Sequence, residues 1–395
     1  MKVLVLNSGS SSLKSQYFVD GEAKASVLVE EISQKSSHIR IKYSETKKDY
    51  NLYLEDHNKA LEVLFELLID NKILDSISSL DAVGHRVVHG GSMFNKPTLI
   101  DNSVIEGIRS LIPLAPLHNP ANLQAIEILH NKYPDMPQVA IFDTSFHQTM
   151  PKYAYTYAIP HELSDNMRIR RYGFHGTSHH YVAKEAAKYM NKELKELNLL
   201  TLHLGNGGSI AAIKNGECVD TTMGMTPLEG LIMGTRSGDI DPAIIPYIVN
   251  NSNNSLNDVD NILNKQSGLK GICGSSDMRE IEENVLNGDE ASILALDMYV
   301  YRIRKYIGSY CVTLGHIDAI IFTGGIGENS DYIRNKICEN LTVSLGIDID
   351  QNKNSNMQDD INTISTEDSK IKIYVISTNE ELQIALETEE CLKDR

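Results

Sequence analysis

The sequence predicts an α/β fold in which a mixed sheet with crossover helices is built twice. Two stretches, beginning at residues 2 and 199, each read as strand, turn, strand, turn, strand. Strands alternate with amphipathic helices after each of them. Three apolar runs also break into turns of Gly, Ser and Asn: KVLVLNSGSSSLK (2–14), LLTLHLGNGGSIAAI (199–213) and DAIIFTGGIGEN (318–329). Small residues there expose backbone N–H groups where no side chain blocks an anion. None reads GxxxxGK[ST], so a phosphate site assembled from separate turns is expected instead of a P-loop. A length of 395 residues favours two domains.

The first meander takes strands at residues 3–6, around 13–19, and a third ending near Val29, with Asp20-Gly21 as a turn. The second takes residues 199–204 and 209–213 and a further strand beyond Asn215-Gly216. Asp-Gly and Asn-Gly suit hairpins because both residues tolerate positive φ. Residues 58–70 place Leu61, Leu64, Phe65 and Leu68 on one helical face, and residues 81–89 and 138–142 read as strands. Asn119-Pro120 suits an N-cap and first turn for a helix to about His130. Ser330 caps a helix carrying Ile333, Ile337 and Leu341. Polar residues 250–258 and 351–370 read as loops, followed by a strand at 371–376 and a last helix from Asn379. The expected division is 1–148 plus 375–395 for the first domain and 149–374 for the second, facing across a cleft lined by strand-end loops.

Composition narrows the class. Hydrophobic residues at 41% and charged residues at 23% are ordinary for a globular enzyme. A net charge of −16 without a Lys/Arg stripe disfavours a nucleic-acid surface. Five scattered cysteines without CxxC argue for a reducing compartment. KVLVLN enters strand pattern at once, and no run approaches the ~18 apolar residues of a membrane helix. A cytoplasmic protein without membrane association is expected.

Several polar groups stand where packing alone would not put them. GHRVVHGG (84–91) sets Arg86 on an apolar strand, as a structural ion pair or as an anion-binding group. GTRSGDIDP (234–242) puts Arg236 in a small-residue turn, where Asp239 or Asp241 offers a salt bridge. IFDTSFH (141–147) ends a strand in Asp143, a position for a catalytic or metal-binding carboxylate or for a cap. RYGFHGTSH (171–179) holds His175 between glycines; without HExxH, a donor aimed at a phosphoryl group is favoured over zinc. In STNEE (377–381), Thr378 and Glu381 match a capping box, leaving Glu380 at the second helical position for a hydrated magnesium ion.

Eight motifs in order, LNSGSSSLK, GHRVVHGG, RYGFHGTSH, HLGNGGS, GTRSGDIDP, SSDMR, TGGIGEN and TNEE, make the chain resemble the acetate kinase (acetokinase) family from residue 3 to about 387. That family belongs to the acetate and sugar kinase/heat-shock protein 70/actin superfamily. The resemblance implies two duplicated actin-like (ribonuclease H-like) domains, a homodimer, and magnesium-dependent, ATP-using carboxylate kinase activity. By position it implies Asn7 and Glu380 at the magnesium site, with manganese as the alternative ion. Ser10, Ser12 and Lys14 would lie near the phosphates, and His203, Leu204, Gly205, Asn206 and Gly207 would form a phosphate hairpin. Asp277, Met278 and Arg279 would contact ATP or ADP, as would Gly325, Ile326, Gly327, Glu328 and Asn329. Arg86 would bind substrate, Asp143 would be the catalytic aspartate, and His175 and Arg236 would stabilise the transition state. Val88, Leu117, Phe174 and Pro227 would surround the substrate methyl.

A carboxylate nucleophile is already ionised at neutral pH, so its attack on a γ-phosphate needs no base. The difficulty is bringing two anions together, which arginines and a metal ion offset. Val88 is bulkier than the alanine expected where a longer acid fits, so acetate is favoured over propionate. An actin-like, nucleotide-switched binding protein would need a polymer surface or an added domain, and none is expected after the last helix. A sugar kinase would need a base and a polar pocket.

Overall fold

The structure, a computed structural model, describes residues 1–393. The last two residues of the expected 375–395 segment lie outside that range. The chain divides into two compact units, Met1–Gln148 with the segment from Asn379 onward, and Thr149–Thr378.

In the first unit the strands are β1 (Lys2–Ser8), β2 (Leu13–Val19), β3 (Glu22–Glu30), β4 (Ser37–Tyr43), β5 (Thr46–Leu52), β6 (Ala82–Val87), β7 (Thr98–Leu99) and β8 (Gln138–Phe142). Among the described residues they form one sheet in the order β5-β4-β3-β2-β1-β6-β8-β7. Strands β1 to β5 are an antiparallel meander, β1, β6 and β8 are parallel, and β7 is antiparallel to β8. Val3, Leu4, Val5 and Leu6 are at most 1% exposed, as a central strand covered on both faces requires. Alternation sorts them: Leu4 and Leu6 cluster with Leu61, Leu64 and Leu68 of the helix His57–Asp70, and Val3 and Val5 cluster with Ile384 and Ala385 of the helix Glu380–Lys393.

The second unit repeats the plan with β9 (Leu199–Leu204), β10 (Gly208–Lys214), β11 (Glu217–Thr221), β12 (Ala319–Thr323), β13 (Ile361–Thr363) and β14 (Lys372–Ile376). Their order is β11-β10-β9-β12-β14-β13. Again an antiparallel meander leads into parallel strands, here β9, β12 and β14, with an antiparallel edge. Leu200, Leu202, Ile320 and Phe322 pack with Leu296, Tyr299, Ile303 and Ile307 of the helix Glu290–Leu314. The two meander turns match as well. Asp20 and Gly21 have φ of 51° and 79°, and Asn215 and Gly216 have 52° and 82°. Both pairs have the positive φ that a two-residue hairpin needs to keep its strands' twist. Two such sheets with flanking helices are the duplicated actin-like architecture.

Some expectations need correction. Asn119 is the first helical residue of Asn119–Lys132, after His118, and its side chain bonds to the backbone of His89 instead of capping. Residues 250–258 include the end of one helix (Ile244–Asn251) and the start of another (Leu256–Lys265). Residues 351–370 contain a short helix, Gln351–Ser355, and β13. The helix capped by Ser330 stops at Cys338, and Leu341 begins a second helix after Asn340 at φ 68°. Val375 and Ile376 complete β14, so residues 375–378 stay with the second unit.

Candidate functional site

In the first unit the parallel strands β1, β6 and β8 all end at one edge of the sheet, the usual ligand-bearing edge of an open α/β sheet. Asn7 lies near the end of β1, Arg86 near the end of β6, and Asp143 one residue beyond β8. Arg86 grips Asp143 in a fork, with Nε to Oδ1 at 3.0 Å and Nη2 to Oδ2 at 2.6 Å. Glu380, the first residue of the C-terminal helix, brings Oε2 to 3.9 Å from Arg86 Nη2. Burial opposes the charge on Arg86, but Asp143 and Glu380 outweigh it and raise its pKa above the ordinary value. For Glu380 burial raises the pKa, Arg86 lowers it, and Asp143 and Glu381 raise it further, leaving it above the usual carboxylate range.

The capping box does not form. Asn379 Oδ1 accepts from the N–H of Leu382 at 3.0 Å, and Glu381 instead pairs with Lys14. Lys14 is thereby held by a carboxylate at the start of β2. The turn after β1 is closed by Gly9 N–H donating to Ser12 O at 2.8 Å, and His57 Nε2 lies 2.7 Å from Gly9 O. Ser10 is exposed on that turn. Two residues escaped the sequence reading. Asn122 accepts from Val88 N–H at 3.1 Å and donates to Ser8 O at 2.7 Å, bracing both loops, and Thr144 Oγ1 accepts from Gly90 N–H at 3.0 Å. Val88 is partly buried and Leu117 is 65% exposed.

In the second unit His175 takes φ 58° as it caps the helix Gly176–Tyr189. Its ring stacks on His203 with centroids 4.3 Å apart, and its Nδ1 is 2.9 Å from Ser209 Oγ. His179, one turn along, is fully buried between Thr201 and Ser209 hydroxyls, which gives it a structural setting. Arg236 forms no salt bridge among the described residues, because Asp239 is taken by Gly230 N–H, Tyr306 and Arg302. Its Nη1 donates to Pro227 O at 2.9 Å, and burial lowers its pKa. Gly207 explains where both groups point. A Cβ there would lie 3.4 Å from His175 Nε2 and 3.6 Å from Arg236 Nη2, so the two donors converge on its bare backbone. Phe174 is buried beside His175 in sequence.

A cavity of about 660 Å³ opens next to this turn, lined by Gly205, Asn206, Ser276, Asp277, Met278, Arg279, Glu282, Gly325, Ile326, Asn329 and Ser330. That volume suits a nucleotide-sized ligand. Asp277 caps the helix Met278–Leu286 and holds Arg279 through Oδ2 at 2.6 Å. Met278 is 5% exposed. Ser276, Glu282 and Ser330 join the lining unforeseen. Leu204, Gly327 and Glu328 do not line it. Leu204 is fully buried, and Glu328 Oε1 accepts from Thr323 Oγ1 and from the N–H groups of Gly324 and Thr378. No group of three His, Cys, Asp or Glu able to hold a metal exists among the described residues. Asn7, Asp143 and Glu380 carry hard oxygen donors of the kind that suit a divalent cation. No helix among the described residues is long and apolar enough to cross a membrane.

A duplicated actin-like fold with an arginine–carboxylate cluster in one unit and a nucleotide-sized cavity in the other defines a phosphotransferase. The chain belongs to the acetokinase family, whose pattern matches residues 2–386. It is 55% identical to an acetate kinase of Sulfurovum sp. (strain NBC37-1), over 98% of either chain. Among solved structures it superposes on Porphyromonas gingivalis acetate kinase with a TM-score of 0.94 at 41% identity, covering 99% of both chains. A propionate kinase from Francisella tularensis subsp. tularensis SCHU S4 superposes with a TM-score of 0.92 at 45% identity, covering 98% of this chain and 99% of that one. As a member of that family the chain is a phosphotransferase with a carboxyl group as acceptor.

Proposed function

We propose that the protein reversibly transfers the γ-phosphoryl group of ATP to acetate, giving acetyl phosphate and ADP by direct in-line displacement. The observation that carries this reading is Arg236, a partly buried guanidinium without a carboxylate partner among the described residues, aimed with His175 at Gly207 next to the cavity. A partly buried cation in that state favours an anionic ligand. An acetate oxygen attacks the γ-phosphorus as the bond to the β–γ bridging oxygen breaks, and the electron pair leaves on ADP. No proton moves. Arg86 binds the acceptor carboxylate, while Arg236 and His175 donate to the equatorial oxygens. Asp143, locked by Arg86, orients substrate and metal and accepts no proton. Val88, Leu117, Phe174 and Pro227 contact the methyl group.

Residues 203–207 hold phosphates together with Ser10, Ser12 and Lys14. Residues 277–279 and 325–329 receive the nucleoside end. Asn7 and Glu380 would hold magnesium, or manganese in its place, which supplies charge neutralisation at the phosphates. A cytoplasmic homodimer completes the reading.

The Francisella relative favours one rival acceptor, propionate. A methylene is worth only ~1–3 kcal/mol, so propionate should be a poor but real substrate. A hydroxamate trap for acyl phosphate, run with acetate, propionate, butyrate and glycerol, decides. Acetate should give the highest kcat/KM, and Val88→Ala should raise propionate relative to acetate by about tenfold. A higher kcat/KM for propionate in the wild type would replace the substrate assignment.

A further inference from the structure

We infer that Thr201 and Ser209 are positioning residues that fix the ring hydrogen of His175 on Nε2. Thr201, on β9, is fully buried, and its hydroxyl lies 2.7 Å from His179 Nδ1, its one hydrogen-bond partner among the described residues. A buried O–H needs an acceptor, so Thr201 donates to that nitrogen. His179 therefore carries its hydrogen on Nε2, which lies 2.7 Å from Ser209 Oγ. Ser209, fully buried on β10, accepts there, and its own hydrogen has one further partner, His175 Nδ1 at 2.9 Å. His175 thus accepts at Nδ1 and presents N–H at Nε2, the nitrogen facing Gly207 alongside Arg236 Nη2.

The opposite polarity fails on the same contacts. Were His179 to donate to Thr201, the threonine hydrogen would be buried without an acceptor. Were His175 doubly protonated, Ser209 would receive two N–H donors and its own hydrogen would be stranded. The relay Thr201 to His179 to Ser209 to His175 therefore selects a neutral imidazole that donates toward the position given above to the phosphoryl oxygens. Tautomer choice by the hydrogen bond at the opposite ring nitrogen is the general device in histidine-dependent sites.

The inference rests on the proposed role of His175, so its test reads the tautomer apart from turnover. In the full chain carrying ¹⁵N-histidine, the His175 signals are identified by their loss in His175→Gln. They should show Nε2 in the protonated range and Nδ1 in the unprotonated range. Thr201→Val and Ser209→Ala should shift that balance, while Thr201→Ser preserves it. The first two should lower kcat about 10–100-fold, with KM for ATP and acetate within about twofold, and Thr201→Ser should restore kcat. A hydrogen on Nδ1 in the wild type overturns the relay, even if a variant fails to fold. So does an unchanged tautomer in both disruptive variants at unchanged Tm. A shifted tautomer with full kcat supports the relay and removes His175 from the transfer step.

Discussion

Glu380 is a carboxyl held where its surroundings oppose its charge. Burial, Asp143 and Glu381 raise its pKa, and Arg86 at 3.9 Å compensates only in part. A carboxyl whose folded pKa exceeds its unfolded value stabilises the fold below the unfolded pKa and loses that contribution as pH rises through the folded one. Once deprotonated, Glu380 is thus a destabilising group that a divalent cation would relieve. Magnesium alone should raise the wild-type Tm, by about 1.4 kcal/mol of stability at tenfold excess over Kd, with the gain fading as acid protonates Glu380. Glu380→Gln should raise Tm without metal and abolish the shift. An equal magnesium shift in that variant would remove Glu380 from the metal site. Arg86 and Asp143 were legible because a charge at the end of an apolar strand stands out. Asn119 and Asn122 were not, since their partners, His89 and Ser8, lie 30 and 114 residues away.

Among elements, the ones read correctly were those whose signals are local. Asp-Gly and Asn-Gly fixed both meander turns, and Ser330 capped the helix expected of it. The failures share a cause: Gln351–Ser355 and β13 are short and polar, and they form because Arg334 and β14 hold them from afar. Gly324 is the element-scale junction that matters for function. At φ 76° it turns β12 into the short helix Gly324–Asn329, and a Cβ there would lie 2.8 Å from Leu204 O on β9. That close approach ties the helix lining the cavity to the strand entering the β9–β10 turn. Gly324→Ala should therefore cost about 1–3 kcal/mol from positive φ and the forced backbone shift. KM for ATP should rise and KM for acetate should not. Unaltered KM for ATP with an unaltered Tm would show that the junction tolerates a side chain.

At the scale of the whole molecule the duplication was legible from its first three strands in each unit, and the full strand orders extend it to the antiparallel edge. The hairpin β4–β5 breaks the symmetry, and nothing in its polar, alternating sequence distinguishes an added edge from a separate ribbon. Each unit also has its own large apolar cluster, one around Leu4 and Leu64, the other around Leu202 and Ile303. Chains built from separately cored units need not unfold in one step. The nucleotide-sized cavity is lined wholly by residues of the second unit, so ADP should stabilise that unit first. Hydrogen exchange with ADP should slow around residues 203–209, 275–282 and 323–330, and then in the core amides of β9 and β12. The amides of Val3 to Leu6 should keep their rates if the units open separately. An equal slowing in both sheets would instead mean that the two cores open together, and the nucleotide would then act on the chain as one cooperative body.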